Sequence, residues 1–399
     1  MKHDFTLFFD AFCCDPRGNH DYLLPAAGHD EYIAVYGKEI ISYDVRLLRY
    51  ALSKIYNRSP HAHITLVMDV TAKDLLDVTL LDDLNLTVHF IPYWMLWTYC
   101  AHERLDQETA QGPDPHGKIL YMPGKLDRVH RLAPLQAFYE MGMLHDIKLS
   151  LHVPGPSQYT DNIQQILDMW DNDKYIQTTD QLREYNCNLD VNLDLHTNPD
   201  SFHLTGIPYD VSIFDNVSFT IVSESNMDQG QHMYMTRENF WCTEKTFRTI
   251  MNCIPFISAC AADPFLKDLG FKTFEDLYGV SAVYKLAPGL NWGDTWRWST
   301  FPEFRQYQDN LQTAISNMQS ASVAHQEEIL ERTQYNKKHM IGLCSELLNT
   351  LGGEPLMVVK DGQSAAYNFS DLMCDVCSYA NCQPSTKMDD YDYCWPLSS

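Results

Sequence analysis

No apolar run in this sequence is long enough to cross a bilayer. The most apolar window, FIPYWMLWTYCA (residues 90–101), is short against the roughly 20 residues that a spanning helix needs. At the start, MKHDFTLFFDAFCCD has an apolar stretch broken by Asp10, so no secretory signal is expected. Basic residues are scarce: 29 Lys+Arg face 53 Asp+Glu, a net charge of −24. Such a balance disfavours non-specific attraction to nucleic acid or to an anionic membrane, although it leaves room for a local basic pocket. There is no Walker loop, no Gly-x-Gly-x-x-Gly after a strand, no Gly-x-Ser-x-Gly elbow and no His-Glu-x-x-His. Those absences argue against the common NTPase, Rossmann oxidoreductase and hydrolase readings. Repeats, low-complexity tracts and long like-charge blocks are missing as well. The 12 cysteines lack the spacing of a secreted scaffold, which predicts reduced thiols and a cytoplasmic location.

What is present is the composition of a folded chain with room for two domains: 399 residues, 45% hydrophobic and 21% charged. In the first third, strand-like runs (FTLFFD at 5–10, HITLVMD at 63–69, LTVHFI at 86–91) alternate with helical spacing at 41–56 and after Asp69. The polar stretch 105–117 reads as a linker. The pattern then restarts with strands at 118–123, 147–152, 217–223 and 255–259 and helices after Arg131 and Thr243. Alternation of this kind predicts parallel sheets covered on both faces, hence α/β with two doubly wound domains. The expected division is 1–104, linker 105–117, 118–301, a helical segment 302–351 packing back on the N-terminal domain, and an irregular tail 352–399.

Three clusters could carry chemistry. In FWCTEKTF, Thr243 is a good N-cap that places Glu244 and Lys245 in the first helical turn. A lysine there opposes the helix dipole, and a bound phosphate would resolve the conflict. Glu244 could accept hydrogen bonds from sugar hydroxyls, while Phe240 and Trp241 could stack on a base. Spacing alone also fits a capped surface helix with Lys245 in water. The second cluster, GKLDRVHR, supplies Lys125, Arg128, His130 and Arg131 between a strand end and a helix, where they could neutralise a diphosphate or simply be solvated. The third is IVSESN, where Ser223 and Glu224 follow a buried strand.

Taken in order, VSFTIVSES, FWCTEKTFRTIMNCIPFISA and LGFKTFEDLY resemble the nucleotide-sugar-binding region of GT-B glycosyltransferases related to α1,3-fucosyltransferases. The resemblance is closer to uncharacterised glycosyltransferases of phages and large viruses, and it covers roughly Lys118 to Tyr278. It implies a GT-B fold of two Rossmann-like domains and a UDP- or GDP-linked sugar donor. Lys245 and Arg131 would hold the diphosphate, Glu244 the ribose hydroxyls, and Glu224 would help position the donor; the reading of the residues themselves adds Lys125, Arg128, Trp241 and Thr243 to the binding set. Ser225 and Cys242 depart from the fucosyltransferase pattern and leave the sugar open.

Such a transfer needs a base and stabilisation of the departing diphosphate, and cationic side chains with a helix dipole supply the latter without a metal. The resemblance places the base in the N-terminal domain: Asp10 is preferred, with Asp15 and His20 as loop alternatives. Asp69 reads better as a capping residue. The expected acceptor is a hydroxymethylated pyrimidine in viral DNA, in a host cytoplasm, or else a glycan or protein. DNA would need a local basic stripe, to which Arg46, Arg49, Lys54 and Arg58 could contribute. No membrane partner is expected. A non-catalytic nucleotide- or glycan-binding protein and a structural virion protein are the alternatives. Asp171–Asp173 reads as a helix-end turn rather than a metal motif, and Cys374, Cys377, Cys382 and Cys394 have too irregular a spacing for a strong zinc assignment.

Overall fold

The computed structural model describes residues 6–8, 31–36, 45–70, 73, 77–104, 112–124, 129–151, 211–224, 242–259, 262–279, 302–351, 356–360 and 363–367. Within them the chain is mixed α/β, organised around two four-stranded parallel sheets. None of the described helices is long and apolar enough to cross a membrane.

The first sheet runs in chain order: β1 (Thr6–Phe8), β2 (Glu31–Tyr36), β3 (His63–Asp69) and β4 (Leu86–Ile91). Helix α1 (Val45–Arg58) links β2 to β3 and buries Leu48, Leu52 and Ile55, one face at i, i+4, i+7. In β3, Ile64, Leu66, Val67 and Met68 are all buried, as expected of a parallel strand covered on both faces. Between β3 and β4 the expected helix is replaced, in its described part, by a 3-10 turn at Val78–Leu81. Asp77 explains the change: its Oδ1 accepts from the Thr79 amide at 3.2 Å and the Thr79 hydroxyl at 2.5 Å, a local bond that competes with an α-helix. Around this sheet, β2 and helix α2 (Tyr93–Arg104) were not anticipated.

The second sheet contains β5 (Lys118–Gly124), β6 (Ile147–Leu151), β7 (Val217–Val222) and β8 (Phe256–Ser258) in the spatial order β6-β5-β7-β8. Helix α3 (Val129–Glu140) links β5 to β6, and α4 (Glu244–Met251) links β7 to β8. Residues 112–117 are docked onto this sheet: the Asp114 amide donates to the Val217 carbonyl and the Lys118 amide to the Asn216 carbonyl. A Cβ on Gly117 would meet the Asn216 carbonyl oxygen at 2.4 Å, so only glycine fits this approach.

One hydrophobic cluster joins the two sheets. Val67 and Ile91 from the first, with Met95 and Leu96 of α2, are contiguous with Tyr121, Phe219 and Ile221 of the second. Helices α2 and α4 pack directly on each other. Beyond β8 come α5 (Asp263–Asp268), α6 (Glu275–Tyr278), α7 (Pro302–Ala324) and α8 (Gln326–Leu351). Helix α7 lies against α3 and α6, whereas α8 touches both α2 and α4. The expectation of an irregular tail is corrected at 356–360 and 363–367. There β9 (Leu356–Lys360) and β10 (Gln363–Tyr367) pair antiparallel, and β9 approaches β1. In the sequence, an Asp-Gly pair separates these two segments, a hairpin signal that the expectation overlooked.

Candidate functional site

The second sheet reverses its strand order at β5: the chain leaves β5 for β6 on one side and returns to β7 on the other. In open parallel sheets such a reversal opens a crevice at the carboxyl ends of the two diverging strands, where ligands bind. The β5 strand ends at Gly124, immediately before the cationic cluster. At the end of β7 come Ser223 and Glu224, both fully buried.

Glu224 reaches from there to the start of α4. Its Oε1 accepts from the Thr243 amide at 3.0 Å and from the Thr246 hydroxyl at 2.5 Å. The Thr243 hydroxyl donates to Oε2. The N-cap position expected of Thr243 is borne out, but not a side-chain cap bond. Its backbone there is extended. The glutamate takes the N-cap amide instead, as the acid of a capping box does, but from 19 residues upstream. A carboxylate at this position is favoured by the helix dipole. Burial nevertheless pushes the Glu224 carboxyl above its ordinary range, opposed by the nearby Lys245 charge and by the two threonines.

Helix α4 is not a surface helix. Every residue except Lys245 is buried, including Glu244 at 8% exposure. Phe247, Ile250 and Met251 belong to the joint core, each contributing about 1.5–3 kcal/mol by burial. The helix stops in a Schellman arrangement: the Ile254 amide returns to the Thr249 carbonyl and the Cys253 amide to the Ile250 carbonyl. Cys253, at φ 56°, occupies the left-handed position usually held by glycine. Pro255 then opens β8, its carbonyl accepting from the Thr220 amide at 2.9 Å. This tight ending is why an apolar strand follows so closely on the Thr-Glu-Lys turn.

Arg131 lies in the first turn of α3 and is 5% exposed. Its carbonyl accepts from the Tyr121 hydroxyl at 2.5 Å, which fastens the start of α3 to β5. Lys125, Arg128 and Trp241 lie outside the described residues, as do Phe240, Asp10, Asp15 and His20, the Asp171–Asp173 turn and the tail cysteines. Asp69 ends β3 and is buried.

No family model, curated protein or solved structure matches the chain. The case for a ligand site therefore rests on its local chemistry. The start of α4, with Glu244 and Lys245, is tied to the end of β7 through Glu224, and the first turn of α3, with Arg131, is tied to β5 through Tyr121. Sequence reasoning missed the Glu224–Thr243–Thr246 linkage. The Thr-x-x-Thr spacing was visible, but the acid that pairs with it is remote in sequence.

Elsewhere, the sequence expectation for LGFKTFEDLY is given a structural meaning. Helix α8 holds this segment through Arg332, Tyr335, Asn336 and His339, which recur at i, i+3, i+4, i+7. Two of the four α1 residues considered for a basic stripe have described contacts. Arg49 makes paired bonds to the Asp83 carboxylate, and Lys54 lies 5.3 Å from the ring centroid of Tyr50.

Proposed function

We propose that this chain is a GT-B-type glycosyltransferase that moves a sugar from a UDP- or GDP-linked donor to an acceptor hydroxyl. The observation that carries the reading is the strand reversal at β5 and β7, with Glu224 binding the end of β7 to the Thr-Glu-Lys helix. Support comes from the general rule that open parallel sheets take ligands at the carboxyl ends of strands where the strand order reverses.

In this reading the donor diphosphate lies at the start of α4, stabilised by first-turn amides, the Lys245 ammonium and Arg131. Glu244 accepts from the ribose hydroxyls. The acceptor oxygen attacks the anomeric carbon while the bond from that carbon to the diphosphate oxygen breaks. The electron pair leaves with the diphosphate, where the cations stabilise it, and a base from the N-terminal domain takes the acceptor proton. Asp10, two residues beyond the end of β1, is the preferred base, with Asp15 and His20 as alternatives. One direct displacement of this kind inverts the anomeric centre and requires no metal. Acceptor candidates are a hydroxymethylated pyrimidine in viral DNA and a glycan or protein.

Calorimetric titration with UDP-, GDP-, ADP- and CMP-linked sugars tests the reading. Saturable binding of one nucleotide class is expected, weakened about tenfold or more by Lys245→Ala. If no nucleotide binds, the glycosyltransferase reading fails.

A further inference from the structure

We propose that Glu224 is the positioning residue of this site: acting through Thr243 and Thr246, it sets where Glu244 and Lys245 stand, and it does not contact the nucleotide. The inference rests on the proposed nucleotide site and adds to it the residue that holds it in shape.

The geometry is a bracket. Thr243 and Thr246 are both tied to the Glu224 carboxylate, and the two residues between them are Glu244 and Lys245. Fixing the chain on either side of a two-residue segment leaves its backbone little freedom to shift. Glu224 is fully buried, and these bonds turn its two oxygens toward α4. The two groups meant for the ligand are less enclosed: Glu244 retains 8% exposure and Lys245 is only half-buried.

The anchoring point also matters. Glu224 follows directly on Ser223 at the end of β7, so its backbone is held by the sheet. The Ala259 amide donates to the Val222 carbonyl at 2.9 Å, which pins the neighbouring strand to the same end. Glu224 thereby transmits the position of the sheet edge to the helix, bypassing the connection from 225 to 241. Binding groups held by a rigid strand end keep their geometry better than groups held by a loop. The charged surroundings fit this use: Lys245 offsets the buried carboxylate, whereas Glu244 opposes it.

A double-mutant cycle on the full chain separates positioning from contact. The nucleotide that wild type binds best would be titrated into wild type, Glu224→Ala, Thr246→Val, the double variant and Glu224→Gln. All would be measured where circular dichroism shows each variant folded. We expect Glu224→Ala to weaken binding about tenfold or more, and Thr246→Val to weaken it less. The double variant should be no worse than Glu224→Ala, because residues that act through one another are not additive. Glu224→Gln keeps the shape and an acceptor oxygen, and should stay within about threefold of wild type.

Three results overturn the proposal: Glu224→Ala binding as wild type does, additive losses, or Glu224→Gln losing as much as Glu224→Ala. The first makes the bracket purely a stabilising feature, and the last makes the carboxylate charge a ligand contact. If Glu224→Ala fails to fold, the comparison of Thr246→Val with Glu224→Gln decides. Weaker binding by Thr246→Val with near-normal binding by Glu224→Gln upholds positioning, and the reverse order overturns it. Loss of all binding by wild type itself instead removes the nucleotide site on which the inference stands.

Discussion

Asn336 of α8 pairs with both main-chain groups of Lys272: its Oδ1 accepts from the Lys272 amide at 2.8 Å, and its Nδ2 donates to the Lys272 carbonyl at 2.7 Å. A side-chain amide here does what a neighbouring strand would do for an unpaired segment. Arg332 adds a bond to the Thr273 carbonyl at 3.0 Å and paired bonds to Asp276 at 2.6 Å. Because α8 also touches α2 and α4, it fastens the 269–278 segment to the junction of the two sheets.

Asn336→Ala should therefore destabilise the protein by about 2–4 kcal/mol, since it strips partners from two main-chain groups. Urea unfolding followed by circular dichroism measures this. Asn336→Asp keeps the acceptor but sets a carboxylate against the Lys272 carbonyl. Its deficit should shrink as the pH falls and that oxygen regains a proton.

Gly270 and Gly142 both have positive φ, 87° and 70°, but their surroundings differ. A Cβ on Gly142 meets nothing within 4 Å, whereas one on Gly270 meets His339 Nε2 at 2.7 Å. That imidazole is held by the Leu269 carbonyl at 2.7 Å and stacks on Tyr335. Gly142→Ala should cost about 1 kcal/mol, the backbone strain alone. Gly270→Ala should cost clearly more, and the excess should vanish in a His339→Ala background. Thermal unfolding of the four variants is the measurement.

Asp263 carries a pH prediction. Its carboxyl is pushed up to about 7, mainly by burial and then by the Glu275 charge, against a 2.9 Å hydrogen bond from the Tyr278 hydroxyl. In the unfolded chain the same group titrates near 4. Between those values the folded state holds the extra proton, so stability falls as pH rises from about 4 to about 7. The full loss, on the order of 4 kcal/mol, is reached above the folded value. Asp263→Asn should flatten that part of the stability–pH curve and be more stable than wild type at pH 8. A variant curve parallel to wild type would reject the assignment.

Arg49 bears on the acceptor. Its bonds to Asp83 and to the Leu80 carbonyl hold the guanidinium against a carboxylate. Arg49→Gln is therefore expected to leave the salt dependence of any duplex-DNA binding unchanged. A decrease in the slope of log K against log salt of about 1 would instead mark Arg49 as a phosphate contact.

Much of the fold was legible because local patterns carry it. The runs HITLVMD, KILYMP and VSFTIV are short and mostly apolar, as strands of a covered parallel sheet tend to be, and all three form strands. Thr243 marked the start of α4 correctly to the residue. Less legible were EYIAVY, a short apolar run that fits a strand or a buried helix alike, and YWMLWTYCAHER, whose aromatic residues blur any single face. The end of α4 carried no glycine signal, because Cys253 holds the left-handed position itself.

By itself the sequence determined the strands β3 to β8 and the start of α4, the acidic character of the chain, and the residue types available at each strand end. Only the tertiary structure decided the order β6-β5-β7-β8, and with it the reversal between β5 and β7. It also decided that Glu224 rather than Thr243 caps α4, and that α8 holds the Lys272 main chain from 64 residues away. The physical reason is common to all three. Periodicity reports which face of an element is apolar, a property of neighbours along the chain. Strand order and remote hydrogen bonds depend on which buried faces and unpaired polar groups meet in space, and that is fixed only when the whole core packs.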